Sequence, residues 1–251
     1  MELKRKPFQG ICNVIWFNRN FYFGACLVIV SMLFLNQFLP DLMQSVAFWV
    51  GLAALLAIMV SLLITWYIYD CSELYQLKWL VDLNKSRVLN IHAGFDETSD
   101  IIKSKYPECD LTICDFYDPG KHTEISIKRA RMAYPPADCT VQVSTNQLPF
   151  PEDSFDYSLT ILSAHEIRAS KERIGFFKEL NRVTKPYGKI FVTEHLRDWK
   201  NFVAYTIGIF HFHSKARWLE TFGQANLKVM EEIKTTPFIT TFILEKNGNT
   251  H

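Results

Sequence analysis

Residues 148–194 constrain the fold more than any other stretch of the chain. They run LPFP, an apolar segment at 155–162, an amphipathic segment at 170–184, a turn with Pro186 and Gly188, and a second apolar segment at 189–193. Ile174, Phe177, Leu180 and Val183 recur on one face of the middle segment, which predicts a helix. Pro186 with Gly188 is expected to end it. Two short apolar runs joined by such a helix read as neighbouring parallel strands with a crossover. Parallel strands of this kind are buried on both faces.

The alternation continues upstream. A β-rich run at 87–93 ends in Gly94, a helix can start at 97–106, and a buried strand at 111–114 leads to Asp115. Residues 122–132 are helix-like and 140–143 form a short strand. Before them, Leu74, Leu77, Leu80, Val81 and Leu83 recur among Glu73, Lys78, Asp82 and Lys85, which predicts an amphipathic helix leading into the domain. After residues 214–225, the runs 228–234 and 240–245 lie close enough to pair antiparallel. The expected class is α/β: a doubly wound, mostly parallel sheet closed by an antiparallel strand.

The first seventy residues have a different character. The chain is 49 % hydrophobic and 14 % aromatic, and the excess lies here. Residues 21–39 and 46–69 carry no charge, and at about 1.5 Å per residue each can cross or nearly cross a hydrocarbon core of about 30 Å. The link 40–45 is short, so a transmembrane helical hairpin is expected, with 1–70 as anchor and 71–251 as the domain. Lys4, Arg5, Lys6 and Arg19 precede the first run, and Lys78, Lys85 and Arg87 follow the second, whereas the link carries Asp41 alone. The positive-inside rule places both termini and the domain in the cytoplasm, on the inner membrane. A cleaved signal peptide is disfavoured, because 1–20 delays the apolar run and no small-residue cleavage pattern follows. Whether 1–20 lies along the bilayer stays open. The six cysteines form no CxxC pair and read as ordinary thiols. A net charge of +1 argues against nucleic acid as the main partner.

From about 72 to 246 the chain resembles the Rossmann-like (class I) S-adenosylmethionine-dependent methyltransferases, in the small-molecule group. Its members read LPFP…FD, a strand, then RVLKPGG and another strand; here the run is LPFPEDSFD and RVTKPYGKI. The resemblance implies S-adenosylmethionine as cofactor, held beyond the carboxyl ends of the strands. The family's first loop reads D-x-G-x-G-x-G. In this chain 90–96 begins with Asn90 and keeps the middle glycine, Gly94, while His92 and Asp96 stand where small residues usually permit close approach. Asn90 can still accept a hydrogen bond, without an aspartate's charge. Asp115 matches the ribose-binding acid, with a solvated loop aspartate as the competing view. Ser144, beside Thr145, matches the position that faces the adenine amino group, and Ser163 ends the fourth strand beside the reaction centre.

For the chemistry, His165 after the fourth strand and His195 after the fifth are candidate catalytic bases, or histidines merely hydrogen-bonded in the wall. His211 and His213, with Glu194, His195 and Asp198, raise the question of a metal; H-x-H alone is a poor signature, and no metal is expected. Trp199, Phe202, Tyr205, Phe210 and Phe212 can line an apolar acceptor pocket, dock on the bilayer, or pack on the sheet. The implied function is a membrane-anchored methyltransferase acting on a lipid-soluble or membrane-associated small molecule with an aromatic head group, phenolic, polyene or quinone-like. A scaffold or binding protein that kept the fold without its cofactor loop stays open. A nicotinamide-dependent oxidoreductase is disfavoured by the missing glycine fingerprint, the absent Y-x-x-x-K pair and the closing antiparallel strands.

Overall fold

A computed structural model describes residues 5–248. Lys4, counted among the basic residues ahead of the first apolar run, lies outside them. Seven strands, β1 (Arg87–His92), β2 (Asp110–Asp115), β3 (Val141–Gln142), β4 (Phe155–Ile161), β5 (Thr184–His195), β6 (Leu227–Thr236) and β7 (Ile239–Lys246), form one sheet in the order β3-β2-β1-β4-β5-β7-β6. The first five run parallel, and β7 is antiparallel to both β5 and β6. The mostly parallel sheet with an antiparallel close is the expected architecture. The third strand is shorter than 140–143, covering two residues.

Alternation along the strands sorts the core onto two faces. Leu89, Ile91, Ile190 and Val192 point to one face, where they pack with Phe176, Phe177 and Leu180 of α6 (Ser170–Val183) and with Trp218 and Phe222 of α8 (Lys215–Gln224). Val88, Leu159 and Phe191 point to the other, against Ile102 of α4 (Ser99–Lys105) and against Leu77, Leu80 and Leu83. Those leucines do not sit on the expected amphipathic helix. The chain there forms a short 3-10 turn at Leu74–Gln76 and then loops, with Leu77 left-handed at φ 49°. Apolar residues three apart can cover a sheet from successive turns as well as from a helix, so burial satisfied the periodicity without helical hydrogen bonds.

Pro186 and Gly188 also behave differently from expectation. Strand β5 starts at Thr184, directly after α6, and both residues lie inside it. Phe155 pairs with Thr184 but Tyr157 pairs with Lys189, so the intervening residues bulge out of the ladder. A Cβ on Gly188 would stand 2.6 Å from the Asp156 carbonyl oxygen, which explains why the bulge carries a glycine.

The amino-terminal segment forms α1 (Gln9–Phe17), α2 (Arg19–Asn36) and α3 (Asp41–Trp66), continued by a π-helical turn at Tyr67–Cys71. Two of these helices are long and apolar enough to cross a membrane, and their apolar stretches are not buried inside the protein. Asp41 starts the second helix, so the link is shorter than 40–45 and the first span ends before residue 39. Helix α1 leaves the hairpin and joins the domain. The Asp70 carboxylate accepts from the backbone N–H groups of Gly10 (2.7 Å) and Ile11 (2.9 Å), partnering the free donors of the first turn of α1. A Cβ on Gly10 would meet Tyr69 Cβ at 2.3 Å, so glycine permits this close approach. Ile68, Leu74 and Ile239 form a small third core where the end of α3 meets the sheet.

Candidate active site

Strand pairing sets His92 beside Asp115 at the tips of β1 and β2, and Ile161 beside Thr193 just before the tips of β4 and β5. A cavity of about 270 Å³ opens at these tips, lined by Asn90, His92, Ala93, Leu162, His165 and His195. Gly10, Asn13, Val14 and Phe17 of α1 and Tyr69 from the end of the second apolar helix also line it. A second cavity, about 460 Å³, lies beyond β2 and β3, with Phe116, Tyr117, Arg131, Ser144 and Thr145 in its wall.

Asp115 lines neither cavity but touches His92 of the first and Arg131 of the second. Its carboxylate is fully buried, accepts from the Tyr117 N–H at 2.8 Å, pairs with Arg131, and lies 3.8 Å from His92 Nδ1. Gly94 sits at φ +88°, and a Cβ there would come within 3.0 Å of the Tyr117 ring. Arg131, on α5 (Ile125–Ala133), stacks over that same ring at 4.8 Å. Sequence reasoning missed Arg131 and Tyr117, and no local signal marks either. Phe95 also lines the smaller cavity, in an aromatic cluster with Phe17 and Tyr134.

His92 is buried, and burial lowers its pKa against the pull of Asp96 and Asp115. Its Nδ1 accepts from the Gly94 N–H at 3.2 Å, so in the neutral ring Nε2 carries the hydrogen. That buried Nε2 has no hydrogen-bond partner among the described residues, although the residue lines the cavity. Asn90 donates to Thr98 Oγ1 (3.0 Å) and Ser99 Oγ (2.8 Å), bracing the loop after β1. Ser163 donates to the Ile91 carbonyl at 2.9 Å, tying β4 to β1. Ser144 and Thr145 are brought together in the second cavity, where Thr145 also donates to Glu172.

His165 lies on a 3-10 turn, Ala164–Glu166, directly after β4. Its Nδ1 is 2.6 Å from Glu194 Oε2 and its backbone N–H donates to Glu194 Oε1 at 3.1 Å. Burial opposes its charge, but Glu194 and Glu166 overcome this and raise its pKa to about 10. Burial would likewise raise Glu166, yet His165 and His211 hold it well below the usual carboxylate range. Glu166 was not singled out in the sequence, although it directly follows His165.

His195 has a different setting. Asn201 spends its amide N–H groups on Phe238 O and Asp198 Oδ1, so its oxygen faces His195 Nδ1 at 3.1 Å. His195 Nε2 then accepts from Tyr69 O–H at 2.9 Å. Its ring stacks on Phe212 at 4.7 Å, and burial lowers its pKa to about 3. The two histidines of FHFHS diverge. His211 stands beside His165, with ring centroids 5.0 Å apart, whereas His213 accepts from Arg173 at 3.1 Å on the other side. Phe212 between them is extended, which turns neighbours in opposite directions. Of the aromatic block, Phe212 joins the cavity wall, while Trp199, Phe202 and Phe210 are exposed.

Residues 121–192 match the family model of a methyltransferase domain. No curated protein matches the chain by sequence. Among solved structures, a SAM-dependent methyltransferase from Aquifex aeolicus aligns with TM-score 0.51 at 14 % identity, covering 70 % of this chain and 94 % of that one. A protein from Pyrococcus horikoshii aligns with TM-score 0.48 at 14 % identity, covering 69 % and 86 %. A S-adenosylmethionine-dependent methyltransferase from Clostridium acetobutylicum aligns with TM-score 0.47 at 9 % identity, covering 64 % and 84 %. The sheet order, the domain match and the Aquifex aeolicus alignment together give this chain the fold of the S-adenosylmethionine-dependent methyltransferases.

Proposed function

We propose that the protein is a membrane-anchored S-adenosylmethionine-dependent methyltransferase that modifies a lipid-soluble small molecule with an aromatic head group. The methyltransferase-domain match and the shared fold support S-adenosylmethionine as the cofactor. The residues at the strand tips fit that group in parts. Asp115 offers buried carboxylate oxygens suited to ribose hydroxyls, and Arg131, which shares them, is partly exposed and can yield. The unpartnered His92 Nε2–H suits a carboxylate acceptor such as that of the methionine moiety. Ser144, Thr145, Phe116 and Tyr117 offer hydroxyls and rings for a purine. Bound there, the cofactor supplies an already activated methyl group, which leaves the protein mainly the task of aligning an acceptor.

The observation that carries the lipophilic acceptor is the composition of the smaller cavity. Tyr69, at the end of the second apolar helix, and Val14 and Phe17 of α1 line it together with the tips of β1 and β4. A membrane-dissolved molecule therefore meets the site where the anchor enters the domain, at a raised effective concentration. His165 and Glu166 present polar atoms to this cavity and are placed to hold an acceptor hydroxyl; His195 supports the wall through Tyr69. The basic residues flanking the two apolar helices support a cytoplasmic placement of the domain.

Detergent-solubilised protein incubated with radiolabelled S-adenosylmethionine and a membrane extract should yield a labelled product that partitions into the lipid phase. Label recovered only in water-soluble material, or none from a folded sample, would count against a lipid acceptor.

A further inference from the structure

We propose that His165, Glu166 and His211 form a binding site for a divalent transition metal of the zinc type, facing the smaller cavity. Their ligating atoms all lie within 4.8 Å of one another. Glu166 Oε1 is 3.4 Å from His165 Nε2 and 3.3 Å from His211 Nε2. Metal–ligand bonds of about 2.0–2.1 Å in tetrahedral geometry separate neighbouring ligand atoms by about 3.3–3.4 Å, the separation of the Glu166 carboxylate from each of the two rings. All three residues line the cavity, so a fourth position would open onto it, the arrangement of sites that keep one coordination position free for water or substrate.

The surroundings are those of a supported site. Glu194 is fully buried and holds His165 Nδ1 at 2.6 Å, which orients the ring and leaves Nε2 toward the other two residues. A carboxylate behind a histidine ligand is the usual second layer of a metal site. Glu124 Oε1, 3.3 Å from His211 Nδ1, can take the same place behind the other ring once Arg168, which contacts that nitrogen, moves off. Arg168 lies against His211, its Nη2 closest to Nδ1 and 3.2 Å from Nε2; its side chain is 41 % exposed and must swing outward toward Glu124, with which it already pairs, for the ring to bind an ion. The two ligand histidines come from segments 46 positions apart, one after β4 and one at the end of a 3-10 turn at Thr206–His211. For this reason no sequence spacing announces the site. A metal here would bind an acceptor oxygen directly. Metal binding is independent of methyl transfer, because it can be measured without cofactor.

The test uses untagged, detergent-solubilised full-length protein, stripped with chelator and titrated with Zn²⁺ and, separately, Co²⁺. The expected result is one ion per chain, with Co²⁺ giving the intense visible absorption of a four- or five-coordinate site. His211→Ala, at a partly exposed turn, should reduce affinity at least tenfold, and Glu194→Gln should reduce it about 10–100-fold. Only the weak spectrum of hydrated Co²⁺, or binding unaffected by His211→Ala, would overturn the site. Calorimetry of the stripped protein with S-adenosylhomocysteine reports separately on the cofactor site, so the two readings fail independently.

Discussion

His195 is held neutral by burial, with Tyr69 filling Nε2 and Phe212 covering the ring face, against the pull of Asn201, which accepts the Nδ1 hydrogen. Its pKa falls from 6.5 in the open to about 3 in the folded protein, chiefly through burial, with His165 and His211 adding like charge. The unfolded chain therefore takes up this proton first as pH drops. Stability from His195 is complete above about pH 6.5 and is lost progressively toward pH 3, by up to about 4–5 kcal/mol. Denaturant titrations across that window should show a smaller slope for His195→Gln than for the unmodified protein; equal slopes would show that the ring is not buried neutral. Gly94 makes the second residue-level point. At φ +88°, with the Tyr117 ring 3.0 Å from any Cβ, Gly94→Ala is expected to cost about 1–2 kcal/mol from the backbone alone, read as a lower denaturation midpoint. The glycine was visible in the sequence because the loop keeps its middle position. Its partner was not, because Tyr117 lies on the next strand's loop and meets it only through the β1–β2 register.

Among the elements, α1 links the apolar helices to the strand-tip cavity. Glu97, just after the loop that follows β1, pairs with Arg5 (3.1 Å) and accepts from Gln9 (3.2 Å), Asn13 (3.4 Å) and Tyr75 (2.7 Å). The Arg129 guanidinium donates to the Phe17 carbonyl at 2.8 Å from the opposite side. Gly10→Ala would press a methyl group into Tyr69 and is expected to lift α1 from its seat. Hydrogen exchange over 9–17 should accelerate while exchange in β4 and β5 stays unchanged; unchanged exchange in α1 would mean that the helix is held by other contacts. The strands and the helices α6 and α8 could be read from periodicity, since their apolar faces are long and regular. Segment 71–86 could not, because its leucines satisfy the same spacing from successive turns. The seat of α1 was equally hidden, because it depends on one glycine and one aspartate sixty residues apart.

For the whole molecule, the sheet collects residues from four strand tips into one region and places the end of the apolar hairpin beside it. The places of Asp115, His92 and Ser163 along the chain could be read from the sequence because each ends or follows a strand whose order in the sheet the resemblance implies. The coupling between them could not: Asp115 shares its charge with Arg131 from α5, and Ser163 spends its hydroxyl on the Ile91 carbonyl. The central claim is that adenosine can settle at Asp115 despite the rebuilt loop at 90–96. It is tested most directly by calorimetric titration of the full-length, detergent-solubilised protein with S-adenosylhomocysteine, alongside Asp115→Asn. The expected result is a single binding site that Asp115→Asn weakens by about 1.5–3 kcal/mol, the worth of a hydrogen bond to a charged group. No binding by folded protein, or equal affinity for both forms, would contradict it.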